Sequence, residues 1–197
     1  MTTKSFYITG DEAADRFLAE DPLALLLGML LDQQVPMEWA FAAPARLRER
    51  LGVDRLDAHD LAAMGEEKVV EVFCEKPALH RFPGSMGKRA WALCQALVDD
   101  HDGDPTKVWT EAADGADLVR RLKALPGFGD EKAKIFAAVL GKRLGVAPAG
   151  WEEAAAPFSD AERRSVADAD TPEHLQEVRA WKKMMKAQKK SKQDSPA

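Results

Sequence analysis

An all-α fold is what this sequence predicts, on three observations. Apolar residues recur at helical spacing along most of the chain. Alternating, strand-like patterning is confined to Phe6 to Ile8. Prolines and glycines fall at the ends of the periodic segments, where helices start and stop. The 197 residues, 46% apolar and 31% charged, have globular composition and room for one ordinary domain or two small lobes.

The elements follow in order. Asp11 to Ala19 reads as a short amphipathic helix. Pro22 to Leu31, PLALLLGMLL, is apolar on every side, which predicts a buried central helix. Its ten residues rise only about 15 Å, a length for a core and not for a bilayer. Pro36 to Leu51 forms a third helix, with Pro36 in the first turn and Gly52 as its stop. Leu56 to Met64 and Glu66 to Cys74 are short helices broken at Gly65, and Lys76 to Gly87 reads as a loop. Lys88 to Asp100 carries Ala90, Trp91, Leu93, Cys94, Leu97 and Val98 at helical spacing. After the turn cluster His101 to Pro105, Gly115 to Ala124 and Glu131 to Leu144 form two helices around the string LPGFG. Gly145 to Gly150 is a small-residue connection, Trp151 to Ala155 a short helix, and Thr171 to about Lys190 a last one with a frayed basic end. There is no internal repeat.

Composition excludes several classes. No stretch of 18 or more residues is free of charge, so no membrane span is expected. The N-terminus lacks the apolar core of a secretory signal. Two cysteines, Cys74 and Cys94, cannot make a four-cysteine zinc site or an iron–sulfur cluster, and read as reduced, buried thiols of a cytosolic protein. His59, His80, His101 and His174 show no metal-ligand spacing, so neither metal nor cofactor is expected. Trp39, Trp91, Trp109 and Trp181 read as core residues, with an aromatic stacking platform as the alternative. The expected location is the cytoplasm, on the nucleoid in a bacterium, and the expected state a monomer.

The net charge of −5 conceals an asymmetry: Trp181 to Ala197 holds six lysines against Asp194, or +5, which leaves −10 on the rest. Any contact with a polyanion is therefore local.

The most informative string is LVRRLKALPGFGDEKAKIFAAVLGKRLG, Leu118 to Gly145. Leu122 and Leu125 are spaced to close a helical hairpin on Phe128, Ala133, Phe136 and Ala137. Pro126 ends the first helix, and Gly127 and Gly129 open the backbone between the two. Amides of such a loop and of the second helix's first turn suit a phosphate. Lys132 and Lys134, with Arg120, Arg121 and Lys123 behind and Lys142 and Arg143 beyond, give the string +5 against Asp130 and Glu131. Asp130 suits the helix dipole but repels a phosphate at short range.

This string resembles the helix-hairpin-helix of the HhH-GPD superfamily, the endonuclease III-like DNA glycosylases. Leu30-Leu31-Asp32-Gln33-Gln34 resembles the family's apolar helix ending in a Gln-containing loop, and Phe82 to Ala90 its turn before a Lys-bearing helix. The three motifs keep the family's order, over roughly Asp21 to Trp151. The resemblance implies a two-lobed helical glycosylase-like domain over 1–180. One lobe spans about 22–145, with the hairpin at 118–145; the other takes the N-terminal segment and about 146–180, and 181–197 is a basic tail. It further implies binding to duplex DNA, with a damaged base turned out into a pocket. Gly127, Phe128, Gly129, Lys132 and Lys134 would hold the DNA backbone. Gln33 and Gln34 would wedge the stack, and Trp151 would stand at the pocket mouth.

The chain departs from the family where chemistry is done. The family's Asp, which stabilises an oxocarbenium-like sugar, has no counterpart in Val146 to Glu153; Glu152 and Glu153 are the nearest carboxylates, and Glu152 is the candidate. The nucleophilic Lys of bifunctional members falls at Glu131, with Lys132 one position later and turned by about 100°. Three readings stay open: a monofunctional base-excision enzyme, a non-catalytic binder of damaged or distorted DNA, and a helical protein-interaction scaffold.

Overall fold

The computed structural model describes residues 6–188. The helices are α1 (Glu12–Glu20), α2 (Pro22–Leu31), α3 (Met37–Leu51), α4 (Ala58–Met64), α5 (Glu66–Cys74), α6 (Pro83–His101), α7 (Lys107–Thr110), α8 (Gly115–Ala124), α9 (Asp130–Val139), α10 (Trp151–Ala154) and α11 (Pro172–Ala187). A π-helical turn, Leu140–Leu144, continues α9, and a 3-10 turn, Val166–Asp168, precedes α11. The fold is all-α: no residue among those described is in a strand. Phe6 to Ile8 is not one either; Tyr7 donates its N–H to the carbonyl of Ala169, and no ladder follows.

Two compact units divide the chain. One comprises Thr9–Val108 with Leu125–Gly127; of the described residues the other takes 6–8, 109–124 and 128–188.

In the first unit α2 is the central helix. Asp21 caps it, one carboxylate oxygen accepting from the Ala24 amide (2.9 Å) and the other from the Leu56 amide (3.0 Å). Pro22 sits in its first turn, and every residue from Leu23 to Leu31 is buried. A Cβ at Gly28 would lie 2.6 Å from the Phe41 ring, so glycine lets α3 approach closely. α4 and α5 pack on α6. α6 begins at Pro83, earlier than Lys88, because Pro83 suits a first turn and Gly87 lets the Val70 backbone approach. Cys74 is exposed, contrary to the expectation of two buried thiols, whereas burial pushes the Cys94 thiol up to about 12.

In the second unit α8 packs against α9. Leu118, Leu122, Phe128, Ala133, Phe136 and Ala137 are all buried, and the Phe128 and Phe136 rings meet edge to face at 6.0 Å. The π-helical turn carries Lys142 and Arg143 inward. Lys142 donates to Asp168 (2.6 Å) and to the Asp160 carbonyl (2.6 Å); Arg143 pairs with Asp170 and donates to the Ala167 carbonyl (2.8 Å). These two cations, counted in the hairpin's positive charge, are thus committed to the fold.

Candidate nucleic-acid interface

The loop between α8 and α9 treats its two glycines differently. Gly127 has φ +82°, a region that side chains rarely adopt, and a Cβ there would stand 2.3 Å from Leu30 Cδ1. Both backbone angle and packing on α2 demand glycine. Gly129 has φ −84° and ψ −178°, extended backbone open to any residue, and a Cβ there would meet nothing within 4 Å. It is exposed and occupies the N-cap of α9, where Ser, Thr, Asp or Asn would supply a cap, yet no side chain caps this helix. Neither conformation nor packing accounts for the missing side chain. Gly127 and Gly129 are both exposed, and no side chain caps α9.

The cations around the loop are largely paired. Arg120 and Arg121 both pair with Asp117. The carboxyl of Asp117 is pulled down to about 2, first by the Ala113 amide and then by the two guanidinium groups. Asp130 accepts from Lys123 (2.9 Å) and lies 3.3 Å from Lys134, and these contacts hold its carboxyl below the usual range. Its charge is therefore compensated on the spot, which weakens its repulsion of an incoming phosphate. The same pairing draws Lys134 along its own helix. Lys132 is half-buried on the first turns of α9. What the loop offers an anion is thus chiefly backbone.

Within the first unit, Gly127 lies against Leu30 of the second motif. Three residues beyond Leu30, the side chain of Gln33 is held at both ends: Nε2 donates to the Leu30 carbonyl (2.9 Å) and Oε1 accepts from Arg89 (3.1 Å). Gln34 is exposed, and its φ of +57° is rare for a side-chain-bearing residue. His80, only 1% exposed, fastens this turn. Its Nδ1 accepts the Phe82 amide (3.0 Å), so the proton sits on Nε2, which lies 3.2 Å from the Leu31 carbonyl and 3.1 Å from that of Gln33. Phe82, 42% exposed, follows at the N-cap of α6 under the guanidinium of Arg81. Sequence reasoning missed His80, whose only signal was one histidine just before a motif.

The third region is α10 and its surroundings. Trp151 is half-buried and seated on two glycines. A Cβ at Gly141 would come within 2.4 Å of its ring, and one at Gly115 within 2.4 Å of its Cα. Glu152 is exposed in the first turn of α10, and its backbone carbonyl accepts from Ser159 Oγ (2.5 Å). The acids further on serve ion pairs. Asp168, 2% exposed, accepts Lys142 and the amides of Arg164 and Ser165 (3.0 and 3.1 Å). Asp160 pairs with Arg164, and Asp170 with Arg143 and His174. Among the described residues no cluster of three or more His, Cys, Asp or Glu could hold a metal ion, and no helix is long and apolar enough to cross a membrane.

No protein-family model and no curated protein matches the chain. Among solved structures it is similar to a trapped endonuclease III–DNA covalent intermediate, described as an estranged-adenine complex. The identity is 16% and the TM-score 0.42, over 84% of this chain and 74% of that one.

Proposed function

We propose that this protein binds duplex DNA through the α8–α9 hairpin, in the manner of the helix-hairpin-helix glycosylases its motifs resemble, and recognises damaged or distorted sites. The observation that carries the reading is Gly129: a helix N-cap with room for a side chain, a backbone that permits one, and none present. A phosphate oxygen drawn to the first-turn amides of α9 would occupy that space. Gln34 is the residue presented for the base stack, since Gln33 is engaged by Leu30 and Arg89.

The exposure of Glu152 favours recognition without base release. A carboxylate in open water is a poor partner for an oxocarbenium-like sugar, whose stabilisation depends on a dry, preorganised site. Base excision, with Glu152 as its carboxylate, is the second reading.

Gly129→Asn tests the hairpin. An Asn side chain would cap α9 itself and engage the amides a phosphate needs, without changing charge. Affinity for duplex DNA is expected to fall at least about tenfold, the worth of one charge-assisted hydrogen bond. Unchanged affinity with a correctly folded variant would remove the hairpin from the binding surface. A panel of duplexes with single damaged bases separates the two readings. Tight binding without abasic product supports recognition alone; abasic product that Glu152→Gln abolishes establishes excision.

A further inference from the structure

The cationic side chains of α11 follow a rule that its buried face does not require. Arg179, Lys182, Lys183 and Lys186 stand at spacings of three, four and seven residues, which places them on one stripe of the helix. Arg179, Lys183 and Lys186 are exposed and Lys182 half-exposed. The acids of α11, Glu173 and Glu177, both precede the stripe. Like charges at such spacings repel one another, so helix formation by itself does not favour this arrangement. The helix dipole rewards cations in the last turn, and of these four only Lys186 lies there. From Arg179 to Gln193 the sequence holds seven basic residues and no acid, in a chain whose net charge is −5.

We infer that this stripe is a second contact for the nucleic-acid backbone, separate from the hairpin loop; the choice of nucleic acid rests on the reading above. Charge complementarity selects a polyanion as its occupant. An anionic lipid surface suits it less. A membrane-surface helix needs a broad free apolar face opposite its lysines; there α11 has only Met184 and Trp181, both half-buried, with the Trp181 ring under the Arg164 guanidinium at 4.6 Å, while Leu175, Val178 and Met185 are buried. A nucleic-acid strand needs only the charges. Each phosphate neutralised releases counterions, so such a contact shows in the salt dependence of binding more clearly than in any one affinity.

The test compares the full chain with the variant Lys182→Gln/Lys183→Gln/Lys186→Gln, using a fluorescein-labelled undamaged DNA duplex titrated between about 50 and 200 mM salt. Glutamine keeps helix propensity, and circular dichroism melts check the fold. The slope of log affinity against log salt is expected to flatten by about 2 to 3, at roughly 0.9 for each phosphate that is no longer neutralised. An unchanged slope in a folded variant overturns the inference. So does a loss of binding to phosphatidylserine vesicles with DNA binding intact. Gly129→Asn, measured alongside, separates the two contacts. If it binds normally while the lysine variant does not, the hairpin reading fails and the stripe stands; the reverse result removes the stripe and keeps the hairpin.

Discussion

The loop at 125–129 and the segment 141–154 both turn on glycines, but the glycines answer to different neighbours. Gly141 lies under the ring of Trp151, as Gly115 lies under its backbone, and Gly127 lies against Leu30. Each of these has its missing side chain explained inside the molecule. Gly129 does not. The carboxylates divide in a similar way. Those at 160–170 are bound into ion pairs, whereas Glu152 stands in water. The difference teaches where to look for a partner: a missing side chain points outward only when nothing inward accounts for it.

The comparison can be broken most directly at Gly127. Gly127→Ala is expected to cost about 3 kcal/mol, from a left-handed backbone angle and the contact with Leu30. A melting temperature equal to the parent's would show that the loop tolerates a side chain there and that its glycines are interchangeable. Gly141→Ala pushes into the Trp151 ring, and a loss of about 1–3 kcal/mol is expected in chemical denaturation, with a shift in the Trp fluorescence.

The two glutamines sharpen the contrast between held and presented groups. Gln34→Ala is expected to reduce the fluorescence of 2-aminopurine placed beside a mismatch in the bound duplex while leaving stability almost unchanged. Gln33→Ala is expected to lower stability by about 1 kcal/mol, because it releases Arg89 and the Leu30 carbonyl. Exchanged effects would reverse their assignment.

Acid titration gives a smaller effect. The Asp117 carboxyl is lowered from 3.8 to about 2 in the folded chain, so its contribution is complete above the unfolded value and is lost as the pH falls from about 4 towards 2. Asp117→Asn should flatten the stability profile across that window; an unaltered profile would show that the Arg120 and Arg121 contacts are idle. Smallest of all is Gly129→Asn itself, expected to raise stability by a few tenths of a kcal/mol as a better N-cap. A large loss would mean that the open space is not open.

Much of the frame was legible in the chain. Pro22 announces the start of α2, and its unbroken apolar run announces its burial. Pro126 announces the end of α8, and the spacing of Leu122, Phe128, Ala133 and Phe136 announces the hairpin. What escaped depends on groups far along the chain. The start of α6 at Pro83 was hidden because Pro83-Gly84-Ser85 reads as loop until Gly87 is seen against Val70. The π-helical turn places Lys142 and Arg143 on Asp168 and Asp170, more than twenty residues away, and leaves no mark in local periodicity. For the same reason the two glycines of LPGFG look alike in sequence. Only the approach of Leu30 to one of them tells them apart. The candidate site was legible as motifs, and not as a division of labour among them.

The two cysteines carry a practical consequence. Cys94 is closed off in the core, where burial pushes its thiol up to about 12, whereas Cys74 faces solvent at the end of α5. A maleimide dye added to the unaltered chain therefore couples at a single place. The protein arrives with its own labelling handle, and distance measurements that test the proposed DNA contact can begin without engineering a cysteine.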